Sequence, residues 1–514
     1  MSAREIELKL AAGPRTLERI AADPLFEGLA GRGERLEALY YDSPAGALWR
    51  RGIVLRVRRE GGHWIQSVKL AGGARGGAHR RIELEQPLAD VRPDLVAVPD
   101  AEIAARIARA LGRAALVPAF RVEVERRRCE VSPSPGVRIE VALDRGAIRA
   151  GRRRAVVSEV ELELREGGEA DLYAFALELA GRHLLRLDPR SKAERGYALA
   201  AGAEPPPRHA PLGVVRRGAR ALEALQTVGW HCLAHFEANL TGARAGRDPE
   251  YLHQVRVALR RLNAALRVFG PLFPEGASAQ PLASLRAVAR ALGPARDWDV
   301  FAAELLAAAA RRFPGHRGLH ALVTAVARLR ARTHNAARRA IGSRRTTLAV
   351  LGFARWLAAA RWLEDLPPER RATWHGPVRP VARAMLERAH RRVLRRGRRI
   401  ARRDAAQLHR LRIAAKRLRY AAGFFAPVFG RAKAEPMLRV LGELQDLLGE
   451  LNDCTVAPAM LAETRRLARG PLVGEACDML EHWLAARAAQ RRRRLAKQWK
   501  AFRRAPSFWR EAES

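Results

Sequence analysis

Cysteine is scarce in this chain of 514 residues. The four present, Cys129, Cys232, Cys454 and Cys477, form no Cys-x-x-Cys pair, so neither a zinc site nor a disulfide framework is expected. Aromatic residues make up only 6%, which leaves few platforms for stacking nucleobases. Long uncharged runs are missing as well: no stretch of about 18 apolar residues exists, so no membrane span is expected. Arg4, Glu5, Glu7 and Lys9 interrupt the start, where a secretory leader would be apolar, and the expected location is the cytoplasm. Acidic residues are in deficit, with 54 Asp and Glu against 94 Lys and Arg, a formal net charge of +40.

What the chain holds in quantity is apolar and basic. A hydrophobic content of 48% excludes global disorder. The length exceeds what one core supports, so two or three domains are expected. The charge is unevenly placed. Residues 1–200 hold 35 basic and 29 acidic side chains, and the remainder holds 59 and 25, a net of +34. A half so charged repels itself unless an anion is near it, and nucleic acid, membrane surface and polyphosphate are the candidates. A bias toward Arg and Ala explains Arg in place of Lys but not the shortage of acids.

Residues 1–200 alternate at period two. The pattern is clear in Glu5–Leu10, Ile53–Arg58, Arg81–Glu85, Arg138–Asp144 and Ser158–Leu164, each apolar on one face and charged on the other. With helical stretches near 101–111 and 169–182, this predicts an α+β domain built on a mostly antiparallel β-barrel. Residues 201–212 include three consecutive prolines and read as a stiff linker. From 213 to 514 strands vanish and the pattern predicts an all-α bundle.

The helical half repeats itself. His253-x-x-Arg256 through Leu262 matches His409-x-x-Arg412 through Leu418. The stretch 292–300 matches 448–456 at the same offset, which argues for duplication, with repeats at about 213–365 and 370–514.

Charged strand faces normally look to solvent. Here one strand sets Glu5, Glu7 and Lys9 on one face, another sets Arg56 and Arg58, and a third sets Glu159, Glu161 and Glu163. Like charges so placed repel unless opposite charges lie between them. A barrel with an aqueous lumen accommodates both sets, the cations cradling phosphate oxygens and the carboxylates holding a divalent metal.

With these residues in view, the first half resembles the CYTH, or triphosphate tunnel metalloenzyme, superfamily. Glu5-Ile6-Glu7-Leu8-Lys9 resembles its ExExK signature. Trp64–Lys69, Arg81–Glu85, Glu140–Gly146, Glu159–Leu164 and Ser191–Tyr197 follow in the family's order. The resemblance implies Glu5, Glu7, Glu161 and Glu163 as ligands of Mg²⁺ or Mn²⁺. It implies Lys9, Arg56, Arg58, Lys69, Arg81 and Lys192 as triphosphate ligands, with Lys9, Glu161 and Glu163 taking part in catalysis. Glu83, Glu85, Glu140 and Asp144 support them. The strand Phe120–Arg126 departs from the family by carrying Glu123 and Glu125, and which of Arg121, Arg126, Arg127 and Arg128 points inward stays open.

In the helical half His253, Arg256 and Arg260 share a helix face, as do His409, Arg412, Lys416 and Arg419. Solvated basic faces are the ordinary fate of such runs. The duplicated histidine favours a groove lined by two helices that takes a phosphate chain. No second histidine stands at i+4, so zinc is disfavoured. This half resembles the CHAD domain, whose family is associated with inorganic polyphosphate; Asn263 departs from it, standing where Arg419 has a cation. His231, Asp297 and Asp453 are further candidates.

The whole resembles bacterial CYTH–CHAD inorganic triphosphatases. The expected function is metal-dependent hydrolysis of inorganic tripolyphosphate, with long-chain polyphosphate bound by the basic helices and polyphosphate granules as a place of association. The alternatives are a non-catalytic polyphosphate-binding protein and a hydrolase or cyclase of an organic triphosphate such as thiamine triphosphate or ATP. Nonspecific nucleic acid is the rival partner.

Overall fold

The computed structural model describes residues 4–26, 29, 33–70, 74–75, 78–210, 213–468 and 470–510. The chain forms two compact units. One takes in 1–208 with 237–242 and 342–359, stretches that fall inside the expected helical half; the other takes in the rest.

In the first unit the alternating segments become strands: β1 Arg4–Ala12, β2 Glu34–Asp42, β3 Ile53–Glu60, β4 His63–Leu70, β5 Ala74–Arg75, β6 Ala78–Leu88, β7 Val117–Ser134, β8 Val137–Ala150, β9 Arg153–Glu166 and β10 Leu185–Leu187. All pairings are antiparallel, in the order β10-β1-β9-β8-β7-β2-β3-β4-β6-β5, and β1 also pairs with β6. That last pairing, Arg4–Leu8 against Ala78–Ile82, closes eight strands into a barrel. Leu10–Ala12 then exchange β6 for β10 along the same edge.

Closure gives each strand an inner and an outer face. Outward Leu55, Val57 and Val68 pack on Ile103 and Ile107 of the helix Ala101–Leu111. The helix Glu169–Arg182 lies against β9 and the helix Arg344–Ala359. The helix Lys192–Ala201 packs on β7, β8 and β9. It begins with a capping box in which Ser191 and Glu194 satisfy each other's backbone N–H groups. Its Ala193 and Tyr197 join Tyr40, Val54, Phe120, Val122, Val124, Ile148 and Val157 in an apolar cluster.

The second unit is helical, and its two basic motifs fall on Pro249–Phe269 and Ala405–Phe429. Each helix buries the apolar positions between its cations: Val255, Ala258, Leu259 and Leu262 on one, Leu411, Ala414, Ala415 and Leu418 on the other. Among the described residues, no helix is long and apolar enough to cross a membrane.

Candidate functional site

A cavity of about 400 Å³ lies inside the barrel. Its wall is charged because the period-two alternation turns the polar face of most strands inward. Glu7 and Lys9 come from β1, Arg56 and Arg58 from β3, Lys69 from β4, and Glu83 and Glu85 from β6. Arg126 and Arg128 come from β7, Glu140 from β8, Glu161, Glu163 and Arg165 from β9, and Lys192 from the first turn of its helix. Eight of the ten expected metal and triphosphate ligands thus face one space. The other two, Glu5 and Arg81, are register partners across β1 and β6, and their side chains lie outside the described residues.

Two arrangements divide the wall. The first is a knot of compensated charge. Asp144, Glu159 and Glu161 are buried with oxygens within 4.8 Å of one another, a spacing that suits a metal ion. The Lys192 ammonium touches all three, at 2.5, 2.6 and 2.7 Å. Arg126 holds Asp144 through two hydrogen bonds of 2.6 and 2.7 Å and reaches Glu161 at 2.5 Å. Lys9 also donates to Glu161, and to Glu7 at 2.5 Å. Burial alone would raise the Glu161 pKa, but Lys192, Lys9 and Arg126 hold it well below the usual carboxylate range. Burial likewise opposes the Lys9 ammonium, yet Glu161 and Glu7 keep its pKa above the ordinary value.

The second is a row of acids short of cations. Glu7 on β1 is opposite Glu163 on β9, and Glu163 is opposite Glu140 on β8. Directly opposed side chains lie about 5 Å apart at Cβ, where like charges repel. Arg165 serves both Glu163 (2.5 Å) and Glu140 (2.7 Å). Burial, with Glu7 and Glu140 close by, lifts the Glu163 pKa to about 7 despite Arg165. Burial is the larger cause of that rise, and the two neighbouring carboxylates add to it. This row fits a divalent cation better than the knot does, since Lys192 already occupies the centre of the knot.

Facing the row, Arg56 pairs with Glu83 (3.1 Å), Lys69 with Glu83 (2.7 Å) and Arg58 with Glu85 (3.2 Å). These pairs are less buried than the knot and can exchange a carboxylate for a phosphate oxygen. Of the four open arginines, Arg126 and Arg128 face the cavity. Arg121 lies against Glu123 (3.4 Å) and Arg127 against Glu18 (3.2 Å), away from it. Arg165 and Glu60 also line the cavity and were missed. Arg165 continues the 159, 161, 163 alternation by one step, so its signal was present.

In the helical unit Arg256, Arg260, Arg412 and Lys416 converge between the two basic helices, with Asp297 and Asp453 among them. Among the described residues none of these four cations has an ion-pair partner within 4.0 Å. Burial, then Arg260 and Arg412, outweigh Asp453 and push the Lys416 pKa down to about 7. The paired histidines are not equivalent. His253 is half-buried, and burial with Arg296 close by pushes its pKa to about 4. His409 is exposed and Nδ1 lies 2.7 Å from Asn452. Asn263 turns back to its own helix, donating to the Leu259 carbonyl. Arg419 is exposed.

Comparison with known proteins matches residues 3–197 to the CYTH domain and 227–462 to the CHAD domain. Over 198 residues the chain is 31% identical to the inorganic triphosphatase of Haemophilus influenzae, covering 38% of this chain and 55% of that protein. The chain thus spans about half the length of this curated relative. The crystal structure of the CHAD domain from the plant Ricinus communis is 29% identical, covers 59% of this chain and 98% of that one, and has a TM-score of 0.51. PptA from Streptomyces chartreusis is 20% identical over 55% of this chain and 100% of that one, with a TM-score of 0.42.

Proposed function

The chain carries a CYTH domain followed by a CHAD domain, and from that premise we propose that it hydrolyses inorganic triphosphate inside the barrel and binds longer phosphate chains on its basic helices. The observation that carries the reading is the division of one cavity wall into cations and an under-compensated acid row. A binding protein for phosphate needs the cations alone.

Arg56, Arg58, Lys69 and Lys9 take phosphoryl oxygens, and Arg126 and Lys192 brace the carboxylates behind them. Glu7, Glu163 and Glu140 would hold the divalent metal, joined by Glu5 as the sequence expects; Glu161, also expected there, is already held by Lys9, Arg126 and Lys192. A metal held there would supply Lewis-acid chemistry, neutralising phosphoryl charge and acidifying a water. The surrounding cations stabilise the charge that spreads over the phosphoryl oxygens as the terminal bond breaks. The substrate is inorganic in this reading because, among the described residues, the helical partner offers unpaired cations to the same kind of anion.

The test is phosphate release from tripolyphosphate with Mg²⁺ or Mn²⁺, comparing wild type with Glu5→Gln plus Glu7→Gln. Metal-dependent release should fall by about 10²–10³-fold in the variant, the range for removal of a group that stabilises transition-state charge. If wild type leaves tripolyphosphate, ATP and thiamine triphosphate all intact, the barrel only binds. For the helical half, long-chain polyphosphate should displace duplex DNA at fixed salt; preference for DNA would overturn that part.

A further inference from the structure

A second cluster of cations lies on a different face of the helix Ala405–Phe429. Arg410 and Arg417, seven residues apart, share a face that is not the one carrying Arg412 and Lys416. The helix Val378–Gly397 packs along this face. It brings Arg392 and Arg396, one turn apart, and the Arg396 guanidinium donates to the Arg410 carbonyl at 2.9 Å. Arg286, from the helix Ala279–Ala291, completes the group. Arg286, Arg392, Arg396 and Arg417 are half-buried.

The helices that carry these cations supply almost no counter-charge. Neither Ala405–Phe429 nor Ala279–Ala291 contains an Asp or Glu. Val378–Gly397 contains only Glu387, which is taken by Arg510 at 2.8 Å, Trp509 at 3.1 Å and Arg391 at 3.5 Å. Among the described residues none of the five arginines has an ion-pair partner. Burial and the surrounding arginines push the Arg396 and Arg417 guanidinium pKa values below the ordinary value. Half-buried guanidiniums crowded without an anion cost stability, and an anionic ligand offsets that cost.

We propose that Arg286, Arg392, Arg396, Arg410 and Arg417 form a second phosphate-chain site, distinct from the groove of Arg256, Arg260, Arg412 and Lys416. A long chain then contacts two faces of one helix about 10 Å thick, whereas tripolyphosphate reaches only one. A flexible phosphate chain is favoured over single-stranded nucleic acid because the helices Ala279–Ala291 and Val378–Gly397 carry no Phe, Tyr or Trp on which a base could stack, and on Ala405–Phe429 Phe424 and Phe425 are buried, leaving only Tyr420 and Phe429 part-exposed.

The proposal rests on the reading that the helical half takes phosphate chains, and its test separates the two. Binding of long-chain polyphosphate to the full chain is measured across a salt series for wild type, for Arg392→Gln plus Arg417→Gln, and for Arg412→Gln plus Lys416→Gln. Arg396 is left in place because it bonds to the neighbouring backbone. The first variant should bind long chains roughly tenfold more weakly, with a shallower salt dependence, and should keep its tripolyphosphate hydrolysis. Unchanged affinity and salt slope in that variant would overturn the second site. If only the groove variant is unchanged, the groove reading fails and the second site stands. Duplex DNA displacing polyphosphate from wild type but not from the first variant would overturn the choice of occupant.

Discussion

Lys416 is a lysine whose charge changes near neutral pH. Its pKa near 7 comes from burial among Arg260 and Arg412. A phosphate chain favours the ammonium form, so binding raises that pKa and takes up a proton. Affinity for long-chain polyphosphate should therefore weaken as pH rises through 7, and Lys416→Arg should flatten the dependence. Equal dissociation constants at pH 6 and pH 8.5 for wild type would show that Lys416 does not meet the ligand. Asp144 is the opposite case. It has no solvent exposure, and Lys192 and Arg126 overcome the burial that would raise its pKa and hold it below the ordinary value. The stability it contributes is present above the ordinary carboxyl pKa of about 3.9 and is lost as pH falls through the lowered one. Asp144→Asn leaves two buried cations short of an anion and should destabilise the barrel by about 3–5 kcal/mol in thermal or denaturant unfolding. A loss under about 1 kcal/mol would mean that Glu159 and Glu161 absorb both cations.

Among the elements, the helix Lys192–Ala201 matters most, because it sets the ammonium at the centre of the carboxylate knot. Gly196 lets it approach the barrel closely: a Cβ there would lie 2.1 Å from the Phe120 ring. Phe120 cannot yield easily, being stacked on Tyr40 at 4.4 Å and edge-on to Tyr197 at 5.1 Å. Gly196→Ala should therefore push the helix outward, at about 1–3 kcal/mol, and carry Lys192 away from Asp144, Glu159 and Glu161. The expected result is a lower melting temperature together with a fall in tripolyphosphate turnover. Turnover equal to wild type with lowered stability would separate the helix from the chemistry and leave it a structural plug.

For the whole molecule, the net charge of +34 in 201–514 governs the electrostatics. Self-repulsion is strongest at low salt, where the Debye length is longest. Long-chain polyphosphate should raise the melting temperature of the helical unit at low ionic strength; at a hundred times its dissociation constant the gain is about 2.7 kcal/mol. The barrel unit, nearly balanced in charge, should shift much less. A helical unit insensitive to both polyphosphate and salt would mean that its arginines are fully solvated and without a polyanionic partner.

The sequence by itself determined the classes of element and the inventory of charge. Period-two alternation in Glu5–Leu10 and Ser158–Leu164 marks strands with one charged and one apolar face, and the matching motifs at His253 and His409 mark two helices of like pattern. These are local patterns, legible because neighbours along the chain set them. What only the tertiary structure decided depends on partners far apart in sequence. Whether a charged strand face looks in or out was settled by the closure of β1 onto β6. Arg126 was separated from Arg121 and Arg127 by register against Asp144, 18 residues on. Lys192, expected to meet phosphate, sits among three carboxylates from β8 and β9. The duplicated histidines proved unequal, because equal sequence positions met different neighbours. The arginine cluster around Arg417 draws on helices more than a hundred residues apart, and no window along the chain contains it.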